Sequence, residues 1–270
     1  MTAHDNQGCE VCPAHNVGNL VRLGINMDKF DFVVALAGNP NTGKSTVFNK
    51  LTGLRQHTGN WPGKTVTRAE GAFGYGNSRF KLVDLPGTYS LLSTTTDEEV
   101  ARDFILFGQP DVTVVVVDAT RLERNLNLVL QVLEITDRAV VCLNLIDEAT
   151  RHHITIDVRK LSKELGVPVV ATSARHGAGM PELLKYIHDV AMGAYVCKPH
   201  RISSRSEGLK HALGVLTKKI EATFPGLPNA RWVALRLLEG DQRIIEAVKT
   251  GELDLLIRNP LRRQAPLNTV

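Results

Sequence analysis

Gly38, Asn39, Pro40, Asn41, Thr42, Gly43, Lys44 and Ser45 form an unbroken G-x-x-x-x-G-K-S run directly after the apolar stretch Phe32 to Ala37. That spacing suits one chemistry, the cradling of a polyphosphate. The glycines let the backbone curl round the anion, and the N–H groups that open the following helix point at it along a favourable dipole. In this reading Asn39 to Thr46 surround the phosphates, Lys44 reaches the β and γ groups, and the Ser45 hydroxyl is a ligand for Mg2+. Farther on, Asp84-Leu85-Pro86-Gly87 offers a carboxylate to hold Mg2+ through water and a Gly87 N–H for the γ-phosphate, so this segment would sense GTP against GDP. Between the two lies a stretch read as flexible, Gly59-Asn60-Trp61-Pro62-Gly63-Lys64. Thr65 follows it and is read, from its spacing after the phosphate loop, as the threonine that completes the Mg2+ shell in the triphosphate state.

Two later stretches suit a base. Asn144-Leu145-Ile146-Asp147 supplies a carboxylate for the donor pair on the guanine edge and an amide that can meet N7 and tie loops together. Ser173 and Ala174 can present backbone N–H groups to guanine O6. Adenine lacks that donor pair, so Asp147 would select GTP. Leu145 stands where the usual N-K-x-D motif has a lysine whose stem covers the base, which predicts modest nucleotide affinity and fast GDP release.

These groups must be held by a framework, and hydrophobic patterning supplies one. Strands are predicted over Thr65 to Ala72, Phe80 to Asp84, Val112 to Asp118, Ala139 to Asn144 and Val167 to Thr172. Helices are predicted over Lys44 to Thr52, Asp97 to Phe107, Arg124 to Thr136, Val158 to Leu165 and Met180 to Ala191. Such alternation gives an α/β fold, a mostly parallel sheet covered by helices with ligand at the carboxyl ends of its strands. A boundary falls near Tyr195 to Ser204. Beyond it the stripes Leu209, Leu213, Leu216, Ile220, then Trp232, Leu235, Leu238, then Ile244, Ile245, Val248 predict three short helices packed as a small bundle on the first domain.

A chain of 270 residues with 43% hydrophobic and 22% charged residues has an ordinary globular composition, and a net charge of +4 is too small to argue for a nucleic-acid partner. No window has the eighteen or so apolar residues of a membrane span, and the first residues are not signal-like, so the chain reads as cytosolic. Four cysteines make no disulfide framework. Cys142 lies in a predicted buried strand; Cys9 and Cys12 have the spacing of half a metal site and are read as free thiols in a polar tail. His152 and His153 are read as solvated rather than ligating.

Phosphate loop, D-x-x-G and base motif together resemble a Ras-like P-loop GTPase followed by a small all-helical domain. More narrowly, Gly38 to Ser45, Gly59 to Val66, Asp84 to Ser90, Asp118 to Asn125 and Leu126, and the lysine-free Asn144 to Asp147 resemble the cytosolic N-terminal G-protein region of the bacterial ferrous iron transporter FeoB. The resemblance implies an N-terminal tail over 1–30, a G domain over 31–195, a helical GDI-like domain over 200–257 that stabilises the GDP state, and a tail over 258–270. It implies as partner a C-terminal membrane domain of the same polypeptide that passes Fe2+ inward, with this region at the cytoplasmic face of the inner membrane and Arg258, Arg262 and Arg263 approaching the missing span. Small cytosolic partner proteins and a homo-oligomer are also open to it. The alternative is a soluble K+-dependent GTPase of ribosome or tRNA maturation, though such proteins usually keep N-K-x-D.

Hydrolysis in this reading is slow. Thr88 occupies the place of the glutamine that orients water in Ras-like proteins. In the family it resembles, an asparagine at the position of Asn41 helps bind K+, which offsets charge developing between the β and γ phosphates, with backbone carbonyls of Gly59 to Gly63 as further ligands. Asn41, Lys44, Thr65 and Gly87 are accordingly the expected catalytic group, with GTP, Mg2+ and K+ as its ligands.

Overall fold

The structure, a computed structural model, describes residues 20–256 except 55, 93–94, 202–205 and 228. Cys9, Cys12, Arg258, Arg262 and Arg263 lie outside the described residues. Seven strands form one sheet in the order β2-β3-β4-β1-β5-β6-β7: β1 Phe32–Gly38, β2 Gln56–Asn60, β3 Thr67–Tyr75, β4 Ser78–Asp84, β5 Val112–Asp118, β6 Ala139–Asn144 and β7 Val169–Ala171. The pairs from β4 through β1, β5 and β6 to β7 are parallel, and β2 and β3 add antiparallel at one edge.

The parallel centre follows from composition. Val33 to Ala37, Val112, Val114 to Val117 and Ala139 to Leu143 are buried on both faces, so these strands read as unbroken apolar runs rather than alternating ones. Register then delivers the polar strand ends to one rim. Leu36 pairs with Asp84 and Gly38 with Val116. Asp118 pairs with Asn144. The phosphate loop, Asp84, Asp118 and Asn144 therefore share the carboxyl edge where such sheets take their ligands.

The helices Lys44–Thr52, Val158–Leu165 and Met180–Ala191 have the expected bounds. The predicted strand from Thr65 begins instead at Thr67, because Thr65 stays exposed in a turn. β2 was not anticipated: Gln56–Asn60 is wholly exposed and carries no apolar pattern, and only backbone pairing to β3 makes it a strand. This also corrects the reading of Gly59 to Gly63 as loose, since Gly59 and Asn60 pair with Arg68 and Thr67. Trp61 is buried, its ring edge-on to Phe104 at 5.3 Å and beneath the Arg68 guanidinium at 5.4 Å. The helix expected over Asp97 to Phe107 runs Thr96–Asp103 and then widens into a π-helical turn, Phe104–Gly108, that is buried throughout.

Residues 20–30, counted with the tail in the sequence reading, pack on the sheet, with Leu20, Ile25 and Met27 all buried. After the sheet domain the backbone stays attached: Lys198 N–H donates to Gly166 O at 2.9 Å and His200 N–H to Leu165 O at 3.1 Å. Helices Glu207–Thr223, Ala230–Leu238 and Gln242–Lys249 follow, opened by the side-chain caps of Ser206 and Asp241 at the first and third. Leu213, Ile220, Trp232 and Ile244 of the predicted stripes are buried, and Leu216, Leu235 and Val248 pack against the core. Leu209 and Leu238, in terminal turns that overhang the bundle, are exposed, whereas Val233 and Ala234 are buried because the middle helix is covered on several sides. Arg231 pairs with Glu134, and Arg102, at 0% exposure, donates from Nη1 to Asp241 Oδ2 at 3.1 Å, so charged contacts join the bundle to the sheet domain.

Candidate functional site

The phosphate loop has the backbone its glycines permit. Gly43 adopts φ 80°, ψ 19° as the N-cap of helix Lys44–Thr52, and a Cβ there would run into the Asn144 amide. Asn41 takes a left-handed φ of 65° at the exposed apex, a conformation asparagine tolerates better than most residues. Thr42 is buried and its Oγ1 donates to Asn39 O at 2.9 Å. Ser45 and Thr46 are exposed on the first turn of the helix.

Lys44 and Asp84 lie together. The ammonium pairs with Asp84 and donates to Leu85 O at 2.7 Å. Burial pushes the Asp84 carboxyl above the usual carboxylate range, and Lys44 partly offsets it. The lysine is thus held ready beside the loop in contact with the carboxylate predicted for Mg2+. Leu85 N–H donates to Leu36 O at 3.0 Å and Thr88 N–H to Gly38 O at 3.3 Å, which seats Gly87 against Pro40. Thr88, in the place of the absent glutamine, is only 5% exposed. Thr65 is exposed and is not drawn into a bond with this group.

At the base end Asn144 acts as a staple. Its Nδ2 donates to Thr42 O at 3.0 Å, while Oδ1 accepts from Ala174 N–H at 3.0 Å and Thr172 Oγ1 at 3.2 Å. The loop-tying role expected of this amide is therefore occupied in the structure. One cavity of about 800 Å3 runs from Gly43 and Thr46 past Asn144 to Asp147, Ser173 and Ala174. It joins phosphate loop and base motif, and its size is that of a small-molecule site.

Asp147 Oδ1 is shielded from solvent without a well-formed hydrogen bond. The Ser173 hydroxyl beside it is the main cause of a carboxyl pKa held below the usual range; partial burial opposes this, and the Asp147 backbone N–H, His176 and Arg151 assist it. Sequence reasoning missed His176. Its Nδ1 lies 2.8 Å from Ser173 Oγ and 3.5 Å from Asp147 Oδ2, because an isolated bridge between Ser173 and Ala178 folds the loop back on itself. Gly177 and Gly179, at left-handed φ of 79° and 75°, signal a turn there but not which side chains it brings together. Leu145 has a left-handed φ of 62°, a strained state for a bulky residue, and caps the short helix Ile146–Arg151. His152 and His153 are exposed beyond that helix, and among the described residues no cluster of three or more His, Cys, Asp or Glu side chains could hold a metal ion.

Comparison with known proteins agrees with this geometry. Residues 32–187 match the family described as ferrous iron transport protein B, and residues 206–264 match the FeoB cytosolic helical domain. The chain is 42% identical over 213 residues to the Fe(2+) transporter FeoB of Shigella flexneri and to that of Escherichia coli K12, matches covering 77% of this chain and 27% of each relative. It therefore spans about a quarter of the length of the curated relatives it matches. Among solved structures, the cytosolic domain of L. pneumophila FeoB is 35% identical with a TM-score of 0.73, covering 85% of this chain and 90% of that one. The cytosolic domain of T. maritima FeoB in a GDP form is 36% identical with a TM-score of 0.73, covering 86% and 89%. With its Ras-like P-loop sheet and appended helical domain, the chain belongs to the ferrous iron transport protein B family.

Proposed function

We propose that this chain is the GTP-binding and GTP-hydrolysing switch module of a ferrous iron membrane transporter, stimulated by K+. The G domain would span 31–195 and the helical GDI-like domain 200–257. The partner would be a C-terminal membrane domain of the same polypeptide at the cytoplasmic face of the inner membrane. Among the described residues no helix is long and apolar enough to cross a membrane. The observation that carries the nucleotide reading is the cavity that links Gly43 and Thr46 to Asp147, Ser173 and Ala174. Solved relatives in GDP-bound forms support the choice of nucleotide.

The residues present fit the expected ions. Ser45 and Asp84 are oxygen donors at one rim of the sheet, suited to Mg2+, which when bound neutralises phosphate charge. Thr65 would join them after the turn before β3 rearranges. Lys44 would leave Asp84 for the β and γ phosphates, the Gly87 N–H would meet the γ-phosphate, and Asp147 would accept from guanine while Ser173 and Ala174 offer N–H groups to O6. The exposed Asn41 side chain at the loop apex is free to hold K+.

GTP turnover is expected to rise about 10–100-fold in K+ over Na+ at equal ionic strength, the effect of one electrostatic contributor next to the transferring group. Asn41→Ala should abolish that rise while leaving GDP affinity within about threefold, well under the 1.4 kcal/mol of a tenfold change. Equal turnover in the two salts would remove the K+ reading.

A second expectation concerns pH. Protonated Asp147 cannot accept from guanine, and its pKa is held low, so GDP affinity should persist as pH falls toward the ordinary carboxylate value of about 4. Ser173→Ala removes the main cause of the depression and should move the loss of affinity to higher pH. Superimposable affinity profiles for the two proteins would contradict the assignment of Asp147.

A further inference from the structure

A second cavity, of about 500 Å3, lies on the other side of Leu145 and runs along the phosphate loop to Tyr89, Arg121 and Arg124. Its acidic wall is already hydrogen-bonded or ion-paired. Asp118 Oδ1 accepts from Thr120 N–H at 2.8 Å and Thr120 Oγ1 at 2.7 Å, and Glu148 pairs with Arg151 at 2.8 Å. Its basic wall is not. Among the described residues neither Arg121 nor Arg124 has a carboxylate partner, and Arg124 is placed instead over the Tyr89 ring at 4.4 Å. The wall also contains Asn39, 2% exposed, whose Nδ2 and Oδ1 have no hydrogen-bond partner. A buried amide left unpaired costs free energy unless a ligand or water meets it, which marks the cavity as a site that something polar completes.

Two unpaired guanidiniums and an amide donor around one space suit a tetrahedral oxyanion, which arginine holds through parallel N–H bonds. The position narrows the choice. Tyr89 stands two residues beyond Gly87, and Gly87 packs against Pro40 of the loop, so the cavity abuts the place where a γ-phosphate would be cleaved. We propose that this cavity is a holding site for the inorganic phosphate produced by GTP hydrolysis. The proposal rests on the hydrolytic reading above. In that reaction a water oxygen bonds to the γ-phosphorus, the bond from that phosphorus to the β–γ bridging oxygen breaks, GDP keeps the bridging oxygen, and hydrogen phosphate departs with release of one proton. Because Tyr89 follows the D-x-x-G turn and carries Arg124 by stacking, the occupied site would restrain that turn until phosphate leaves.

The test uses the full chain saturated with GDP, so that the phosphate loop is filled, and titrates inorganic phosphate by 31P line broadening. The native protein is expected to bind phosphate, and Arg121→Gln with Arg124→Gln to weaken it at least about tenfold, the loss of one or two charge-assisted bonds. Both arginines are exposed, and GDP affinity should be unchanged. Sulfate should compete and acetate should not. In a single turnover, phosphate release followed with a fluorescent phosphate-binding reporter should lag GTP cleavage in the native protein and coincide with it in the double variant. GDP binding without phosphate binding, or phosphate binding that the double variant leaves intact, would overturn the site; binding without a lag would overturn its assignment to product. Failure to bind GDP at all would instead remove the nucleotide reading, and this one with it.

Discussion

Asp147→Asn is expected to lower GDP affinity by about 10²–10⁴-fold and to transfer preference to xanthine nucleotides. The carboxylate would accept two charge-assisted bonds from the guanine edge, each worth roughly 1.5–3 kcal/mol, and 1.4 kcal/mol is a factor of ten. An amide at this position keeps an acceptor for N1–H and turns a donor toward the carbonyl that xanthine has in place of the amino group. The other carboxylate lining the cavity, Glu148, is paired with Arg151 at 2.8 Å, and the other neighbours of Asp147 are Ser173, His176 and Arg151, the last at 3.7 Å. Titration with fluorescent GDP and XDP analogues reads both effects. An unchanged GDP affinity would place the base elsewhere in the cavity, and with it would fall the use of Asp147 for nucleotide choice.

Arg102→Met is expected to destabilise the protein by about 3–5 kcal/mol, the cost of removing a fully buried guanidinium that pairs with two largely buried carboxylates. Arg102 is fully buried, with Nε donating to Asp103 Oδ1 at 2.9 Å and Nη1 to Asp241 Oδ2 at 3.1 Å. Asp241 is at the same time the N-cap of helix Gln242–Lys249, and Arg243 of that helix reaches back to Asp103 at 3.4 Å and forks onto Glu252 at 2.6 and 2.8 Å. Burial pushes the Asp103 carboxyl above its ordinary range and Arg102 is the main offset to that cost. For a chain of this size the loss corresponds to a fall in Tm of about 6–20 °C. A carboxyl whose folded pKa is raised is most easily tolerated when protonated, so the gap between native and variant should narrow as pH falls through the carboxylate range. Thermal unfolding followed by circular dichroism at two pH values measures both, and a Tm within about two degrees of native would show that the helical bundle does not depend on this contact.

Some of this protein was legible residue by residue. Runs such as Val112–Asp118 and Ala139–Asn144 are apolar because both faces are buried, and a run of that kind announces a central parallel strand without any knowledge of its neighbours. The phosphate loop is legible for a similar reason: its function resides in backbone N–H groups, glycine freedom and one lysine, all properties of a contiguous segment. The family, too, could be read from short contiguous motifs, and the matches over residues 32–187 and 206–264 agree with that reading.

Other features depend on groups far apart in the chain. β2 exists because β3 offers an edge, not because Gln56–Asn60 prefers to be extended. Trp61 sits in a glycine-rich stretch that reads as flexible until Phe104 and Arg68 are seen packed around it. The bundle stripes were read with largely the right residues but missed Val233 and Ala234 and included the exposed Leu209 and Leu238, because a helical period shows which residues are apolar but not how many sides a neighbour will cover. Local features, then, were legible in the sequence alone: the apolar central strands, the phosphate-loop motif, and the motif proposed to choose a base. Only the tertiary structure decided that Lys44 rests on Asp84, that the loop-tying amide of Asn144 bonds Thr42 and Ala174 in particular, and that Arg121, Arg124 and Asn39 line one cavity. Those facts follow from sheet register and loop closure, which place residues dozens of positions apart within hydrogen-bond distance and leave no trace in the order of side chains.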